Sequence, residues 1–374
     1  MERFREIIEH RHEYAQAWKQ RTGGKILGYF CSYVPEEIIY AAGILPVRII
    51  GSHEPKTRTE RHITEMYCPY CRDCLAQGLR GSYSYLDGIV MAPGCQHIRQ
   101  AFASWDLHIP VDYTFLISMP NLVQSPSAIP FLIRELSRFK RSLEEWTGMP
   151  ISDEALSEAI ITYNLNRRLL MRIYNLRKSN EPPLSGAEAL EITLSGHLTD
   201  KREHTRLLSE AIKKIQRKTK CPKPGVRLMF VGSEIDDINY LNLIESLGCI
   251  IVTDETCTGS RYFWNECLPS SNPLDAIARR YIDRPPCPVK DLPMHRRLNH
   301  MLAMIKEYRV EGVIITTQKF CHNHETDLPA IQSLLQKEGI PVLTLEYSFN
   351  TPVEWIQVRI EAFLEIFQSD VMWG

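Results

Sequence analysis

The sequence predicts an α/β protein built from two parallel-sheet units joined by helices. Short apolar runs alternate with amphipathic helical stretches, an order that builds parallel sheets covered on both faces. The alternation occurs twice, from "KILGYFCSY" at 25–33 to "VDYTFLISMP" at 111–120, and from "VRLMFVGSEI" at 226–235 to "IPVLTLEYSF" at 340–349. The interval 152–218 reads as almost wholly helical.

Element by element, spaced apolar positions among charges predict an N-terminal helix within 1–22. "KILGYFCSY" is a buried strand that stops at Pro35; "PEEIIYAAG" then reads as a helix, with proline in its first turn and Gly43 at its close. "LPVRIIG" is a second strand, "YLDGIVMAPGC" a third that ends in a Pro-Gly-Cys loop, and "VDYTFLISMP" a fourth. Leu132, Leu136, Phe139, Leu143 and Trp146 recur at helical spacing, and Gly148 and Pro150 stop that helix. Ser152 caps the next one ahead of two acids, and "NEPPLSG" interrupts the helical stretch near Pro182. After "CPKPG" the strand–helix order resumes: "YLNLIESLG" and "DLPAIQSLLQKEG" read as helices, "CIIVTDE" and "VEGVIITTQKFC" as strands, and "VRIEAFLEIF" as the final helix. The expected organisation is an N-terminal helix (1–22), a first α/β domain (23–150), a helical segment (151–220) and a second α/β domain (221–374), each sheet Rossmann-like or flavodoxin-like.

A chain of 374 residues exceeds one ordinary core. Its 44 % apolar and 24 % charged residues are those of a soluble globular protein. A formal net charge of −1 offers no field for nucleic acid or an anionic membrane. "KKIQRKTK" at 213–220 reads as a solvated helix end. No apolar run is long enough to span a bilayer and the charged N-terminus is no signal peptide, so a cytoplasmic protein with no nucleic-acid or membrane partner is expected. Eleven cysteines, an odd number, argue against a disulfide framework. Cys31, Cys249 and Cys287 read as buried apolar residues.

Ligands of open α/β sheets collect at the carboxyl ends of the strands. Cys95 ends "GIVMAPGC", Cys321 ends "GVIITTQKFC", and Cys68 opens a helix after a loop. Chain-distant cysteines that converge in a crevice between two domains suit an iron–sulfur cluster. Other readings compete. "CPYC" has thioredoxin-like spacing, but no strand runs directly into it. "CHNHE" at 321–325 mixes sulfur and imidazole, yet the paired spacing of a zinc ribbon is absent. The Cys-x-x-Cys-x-x-Cys run lacks the later Cys-Pro of a ferredoxin. Cys71 and Cys74 then read as helix-packing residues. There is no Walker loop and no Gly-x-Ser-x-Gly elbow, so ATP energy, if used, comes from a partner.

Several stretches in order resemble the 2-hydroxyacyl-CoA dehydratase and benzoyl-CoA reductase family: "GYFCSYVPEEIIYAAGILPVRIIG", "CPYCRDCLAQGLRGSYSYLDGIVMAPGC", "DETCTGSRYF", "QKFCHNHETD" and "LEYSFNTPVEWIQVRIEAFLE". The resemblance runs nearly end to end. It implies a pair of related subunits, each carrying a [4Fe–4S] cluster between two α/β domains, and a separate ATP-hydrolysing iron–sulfur activator. On this chain the implied cluster ligands are Cys68, Cys95 and Cys321, leaving one iron for an exchangeable ligand or an acyl-CoA substrate. In a dehydratase of this family a ketyl radical expels a hydroxyl group; in the reductase a second electron and protons give a cyclic diene. "CSYVPEEIIYAAG" and "CQHIRQAFASW" are closer to a benzoyl-CoA reductase iron–sulfur subunit, with a dehydratase subunit and a non-catalytic electron-transfer subunit as alternatives.

The resemblance also nominates proton-exchanging groups. Glu37, with Glu36 as an equal candidate, is one, against the plain role of stabilising a helix N-terminus. His97 is a candidate proton donor or partner of the cluster, and His322 and His324 share that ambiguity. Arg261 and Cys257 are expected to line the crevice, with Arg261 as an anion contact. A double-cubane cluster needs a further cysteine within "LRGSYSYLDGIV", which has none.

Overall fold

The structure, a computed structural model, describes residues 1–53, 59–217, 225–290, 295–348 and 350–372. The opening helix is divided into α1 (Glu2–Glu9) and α2 (Arg11–Thr22), because His10 between them leaves helical geometry at φ −108° and ψ 34°. Then come β1 (Ile26–Tyr29), α3 (Glu36–Ala41), β2 (Leu45–Arg48), α4 (Pro69–Leu79), β3 (Gly88–Met91), α5 (Gln96–His108) and β4 (Tyr113–Leu116). The four strands form one parallel sheet in the order β2-β1-β3-β4.

The linking helices are α6 (Ala128–Thr147), α7 (Asp153–Leu176), α8 (Gly186–Ser195) and α9 (Lys201–Ile215). Their starts are locally encoded. Ser152 Oγ accepts from Ala155 N, Ser185 and Glu188 form a capping box, and Asp200 accepts from the N–H groups of Arg202 and Glu203. The expected junction at 220–221 lies outside the described residues.

The second half contains β5 (Val226–Gly232), α10 (Ile238–Ser246), β6 (Cys249–Glu255), α11 (Ser260–Phe263), α12 (Pro273–Asp283), α13 (His295–Glu307), β7 (Gly312–Gln318), α14 (His322–Lys337), β8 (Val342–Tyr347) and α15 (Val353–Met372). Its sheet is again parallel, in the order β6-β5-β7-β8. The chain is thus an α/β protein with two parallel sheets of the same strand order.

Both sheets are buried on both faces. Ile26 and Ile89 enter one core with α4 and α5, while Leu27 and Val90 enter another with α6 and α7. Leu228 and Phe230 pack toward α10 and α15, Met229 and Val231 toward α13 and α14. Alternate residues serving opposite covered faces explain the near-continuous apolar runs. Each fully buried Ile or Leu contributes about 1.5–3 kcal/mol. Helix α12 belongs to the second half in sequence, yet Ile277 and Tyr281 pack in the first half's core.

Two features differ from the sequence expectation. Helix α14 starts at His322, directly after Cys321, with Pro329 inside it; the periodicity places its start at Asp327, because the polar run before that residue has no apolar period. Helices α5, α11, α12 and α13 have no named counterpart in the sequence expectation. In each sheet the chain adds one neighbour to the first strand, then crosses to its other side. The switch points therefore lie between β1 and β3 and between β5 and β7, where α/β proteins bind ligands.

Candidate functional site

The carboxyl ends at both switch points open on one cavity of about 150 Å³. Residues 30–33 follow β1 and residues 94–98 follow β3; Ser233 and Glu234 follow β5, and residues 321–324 follow β7. Cys68, at the start of α4, completes a wall in which Cys68, Cys95 and Cys321 all take part. Each of the three is the N-cap of its helix: Cys68 of α4, Cys95 of α5, Cys321 of α14. A helix N-terminus favours negative charge and stabilises a thiolate. Cys95 shows this directly, since its Sγ accepts from Ile98 N at 3.4 Å. Its thiol is drawn below the ordinary cysteine value, first by a hydrogen bond from Cys71, with burial opposing and the N–H groups of Ile98 and His97 assisting. Burial, with Cys68 next, pushes the Cys321 thiol up to about 12. Phe320 turns the chain into α14 with φ at 63°, a left-handed conformation uncommon for its type.

His97 lines the cavity, and its Nδ1 accepts from Cys68 N at 3.1 Å. The neutral ring therefore carries its proton on Nε2. Burial, then the nearby His322, lowers the His97 pKa. His322 and His324 also line the cavity, and the His97 and His322 rings meet edge to face at 5.1 Å.

Cys257 is on the wall, whereas Arg261 is fully buried and is not a lining residue. The Arg261 guanidinium donates to Glu255 Oε1 at 2.9 Å, Gly232 O at 2.9 Å and Cys257 Sγ at 3.1 Å. Glu37 and Glu36 are also outside the wall. Glu37 is fully buried, ion-paired with Arg167, and accepts from Tyr281 Oη at 3.1 Å. Burial opposes its ionisation, but Arg167 and Arg280 outweigh it and hold its pKa at about 2. Glu36 faces Lys201 Nζ at 3.6 Å.

The wall also holds residues outside the set that the sequence nominates. Cys31 and Cys287, expected to pack, line the cavity, as do Cys71, Glu234 and Arg284. Cys31 lies just beyond the end of β1, as Cys95 and Cys321 lie beyond β3 and β7, but the apolar run to Tyr33 puts it inside the strand in the sequence reading. A Cβ added at Gly94 would stand 3.2 Å from Cys31 Sγ, which puts Cys31 against the loop that carries Cys95. Cys71 follows Cys68 by one helical turn and its thiol contacts those of Cys68 and Cys95. Cys74 and Cys249 do pack: their thiols donate to Ile49 O at 3.8 Å and Ile244 O at 3.2 Å.

Among the described residues no three His, Cys, Asp or Glu side chains close to the spacing of a single ion. The thiols instead stand around a volume comparable to one that holds benzene in an engineered apolar core. Soft sulfur donors spread about such a space match the ligand chemistry of an iron–sulfur cluster.

Two parallel α/β sheets that share a thiol-lined cavity at their carboxyl ends define a two-lobed protein with a soft-donor site between its halves. The chain belongs to the 2-hydroxyglutaryl-CoA dehydratase D-component family, whose profile matches residues 31–367. It is 26 % identical over 368 residues to the (R)-phenyllactyl-CoA dehydratase beta subunit of Clostridium sporogenes, covering 97 % of both chains. It is 24 % identical over 344 residues to a subunit of the benzoyl-CoA reductase of Thauera aromatica, covering 90 % of this chain and 89 % of that one. It is also 24 % identical over 353 residues to the beta subunit of the (R)-2-hydroxyglutaryl-CoA dehydratase of Acidaminococcus fermentans, covering 92 % of each. Among the described residues no helix is long and apolar enough to cross a membrane.

Proposed function

We propose that this chain is the iron–sulfur subunit of a benzoyl-CoA reductase-type complex. It works beside a paralogous iron–sulfur subunit and an ATP-hydrolysing iron–sulfur activator, on an acyl-CoA substrate. In this reading 23–150 and 221–374 are the domains that flank the cluster. The observation that supports it is the convergence of Cys68, Cys95 and Cys321, each at a helix N-cap, on one cavity. These three thiolates would hold a [4Fe–4S] cluster with one iron left free of protein sulfur. The bound cluster supplies low-potential electrons.

The chain's own residues do the rest. The N-terminus of α5 holds negative charge at the Cys95 thiolate, and those of α4 and α14 begin directly after Cys68 and Cys321. Cys68 N fixes the His97 ring through Nδ1, which leaves Nε2–H as a proton source on the cavity wall. Glu37, paired with Arg167 outside the cavity, orders α3 against α7.

A second reading, a 2-hydroxyacyl-CoA dehydratase subunit, is favoured by the names of the Clostridium and Acidaminococcus relatives. A third, an electron-transfer subunit, is favoured by Cys71, a fourth thiol beside Cys68 and Cys95. Iron and acid-labile sulfide are to be measured on anaerobically purified protein, with EPR after reduction, for the wild type and for Cys68→Ala, Cys95→Ala, Cys321→Ala and Cys74→Ala. About four irons per chain are expected, lost in the first three variants and kept in the fourth. Absence of iron from the wild type overturns the reading. Consumption of benzoyl-CoA, against dehydration of a 2-hydroxyacyl-CoA, by the assembled complex separates the first two readings.

A further inference from the structure

The cavity wall carries a cation with no matching anion. Arg284, which follows α12, lines the cavity and is 1 % exposed. Its Nη1 donates to Ser32 O at 2.6 Å, and its Nη2 donates to Ser32 Oγ at 3.2 Å and Arg261 O at 2.7 Å. All three acceptors are neutral, and its Nε has no partner. Lys290 is fully buried nearby, where its Nζ donates to Asn121 Oδ1 at 2.9 Å and Met119 O at 3.4 Å, again neutral groups. The Tyr33 ring meets both cations, Arg284 at 4.3 Å and Lys290 at 5.5 Å. Among the described residues neither cation has a carboxylate partner.

Four other buried arginines near the site are matched, Arg48 by Glu234, Arg167 by Glu37, Arg261 by Glu255, and Arg297 by Glu255 and Asp327. Glu234, the carboxylate on the wall, is therefore already neutralised. Arg280 and Arg177, like Arg284, donate to neutral oxygens, but Arg284 is the one of these three that lines the cavity. A guanidinium stays protonated in proteins, and a buried charge without a counter-charge is costly. A fold that keeps Arg284 at the wall of a cavity has reason to do so if negative charge comes to that cavity.

We propose that Arg284, backed by Lys290, is the counter-cation for negative charge carried inside the cavity. The proposal rests on the iron–sulfur reading, because that charge sits on the thiolate-held centre or on the oxygen of an acyl thioester beside it. Arg284 is then a positioning residue for charge: it favours the state with one more electron, which the centre accepts singly from its donor. Removing the cation disfavours reduction, and a lysine in its place restores most of the effect.

The test is anaerobic redox titration with titanium(III) as the one-electron donor, followed by EPR, on iron-loaded wild type, Arg284→Gln and Arg284→Lys, with and without benzoyl-CoA. The Arg284→Gln equilibrium for reduction is expected to fall at least about tenfold, which is a potential about 59 mV more negative for a one-electron couple. Arg284→Lys is expected to stay within about threefold of the wild type. A shift without benzoyl-CoA assigns the charge to the centre, and a shift only with it assigns the charge to the thioester oxygen. An iron-loaded Arg284→Gln protein with an unmoved potential under both conditions overturns the proposal and leaves the iron–sulfur reading standing. A wild type without iron overturns that reading itself. Should Arg284→Gln not fold, Lys290→Met carries the same comparison, with a smaller shift of the same sign.

Discussion

The guanidinium of Arg48, on β2, holds both carboxylate oxygens of Glu234, just beyond β5, at 2.6 Å. Through this pair the first sheet grips the loop that carries the cavity wall of the second. Arg48 Nη1 also donates to Cys257 O at 3.2 Å, and Gly51 N donates to Asp236 Oδ2 at 2.7 Å. The soft-donor site thus depends on polar ties between the two sheets.

Removing one member of a buried ion pair leaves the other charge uncompensated, a loss of about 3–5 kcal/mol. The Arg48 side chain is 0 % exposed and that of Glu234 16 %, so Glu234→Gln is expected near the lower end of that range. Urea unfolding measures it. A variant within about 0.5 kcal/mol of the wild type would remove the pair from the account of how the halves dock.

Glu37→Gln is expected to act on stability, with iron content unchanged. It strands Arg167, at a cost of about 3 kcal/mol. Because Arg167 and Arg280 hold the folded pKa at about 2 against an ordinary 4.5, this contribution is complete above 4.5 and is lost as pH falls toward 2. If Glu37→Gln unfolds at the wild-type urea concentration yet abolishes turnover of the assembled complex, Glu37 acts in proton exchange instead.

His204 makes the fold sensitive to weak acid. Burial, then the charge of Lys201, pushes it down from 6.5 to about 3. Its Nδ1 accepts from Asn166 Nδ2 at 2.9 Å and its Nε2–H donates to Ile192 O at 3.0 Å, an arrangement only the neutral ring can make. The unfolded chain binds this proton below 6.5 and the folded chain does not. Stability therefore falls as pH drops through that window, by about 1.4 kcal/mol per unit for one proton. His204→Gln is expected to lower stability at neutral pH and to flatten the slope by one proton, as read from unfolding midpoints between pH 7 and about 5.

Gly259 closes the turn that presents Cys257. A Cβ there would stand 2.0 Å from Asp254 Oδ1, the oxygen that accepts from Thr256 Oγ1 and Ser260 N at 2.9 Å. Gly259→Ala is expected to cost about 1–3 kcal/mol. It should also speed modification of Cys257 by a thiol reagent, followed by peptide mass spectrometry. Unchanged stability and labelling would mean that the turn adjusts without moving Cys257.

Much of the architecture is legible in the sequence because its signals are local. The strands after Lys25 and after Gly225, the caps at Ser152 and Ser185, and the break near Pro182 come from periodicity and turn chemistry within a few residues. The start of helix α14 is hidden by five residues because its first turn is polar. At the site, the rule that ligands gather beyond strand ends reaches Cys95 and Cys321. The same rule covers Cys31 only once β1 is seen to end at Tyr29, since the apolar run to Tyr33 places it inside the strand.

The sequence by itself determined the order of the strands along the chain, their parallel arrangement, and the position of Cys68, Cys95 and Cys321 at the junctions between elements. These follow from spacing along the chain and the geometry of each element. Only the tertiary structure decided that Cys31, Cys71 and Cys287 share a cavity with Cys68, that Glu37 is committed to Arg167 and Glu234 to Arg48, and that Arg284 faces the cavity unmatched. Which charges meet, and which are left over, is set by how two sheets and the helices between them pack. Burial then gives each charge its weight, and neither quantity is written in any short stretch of the chain.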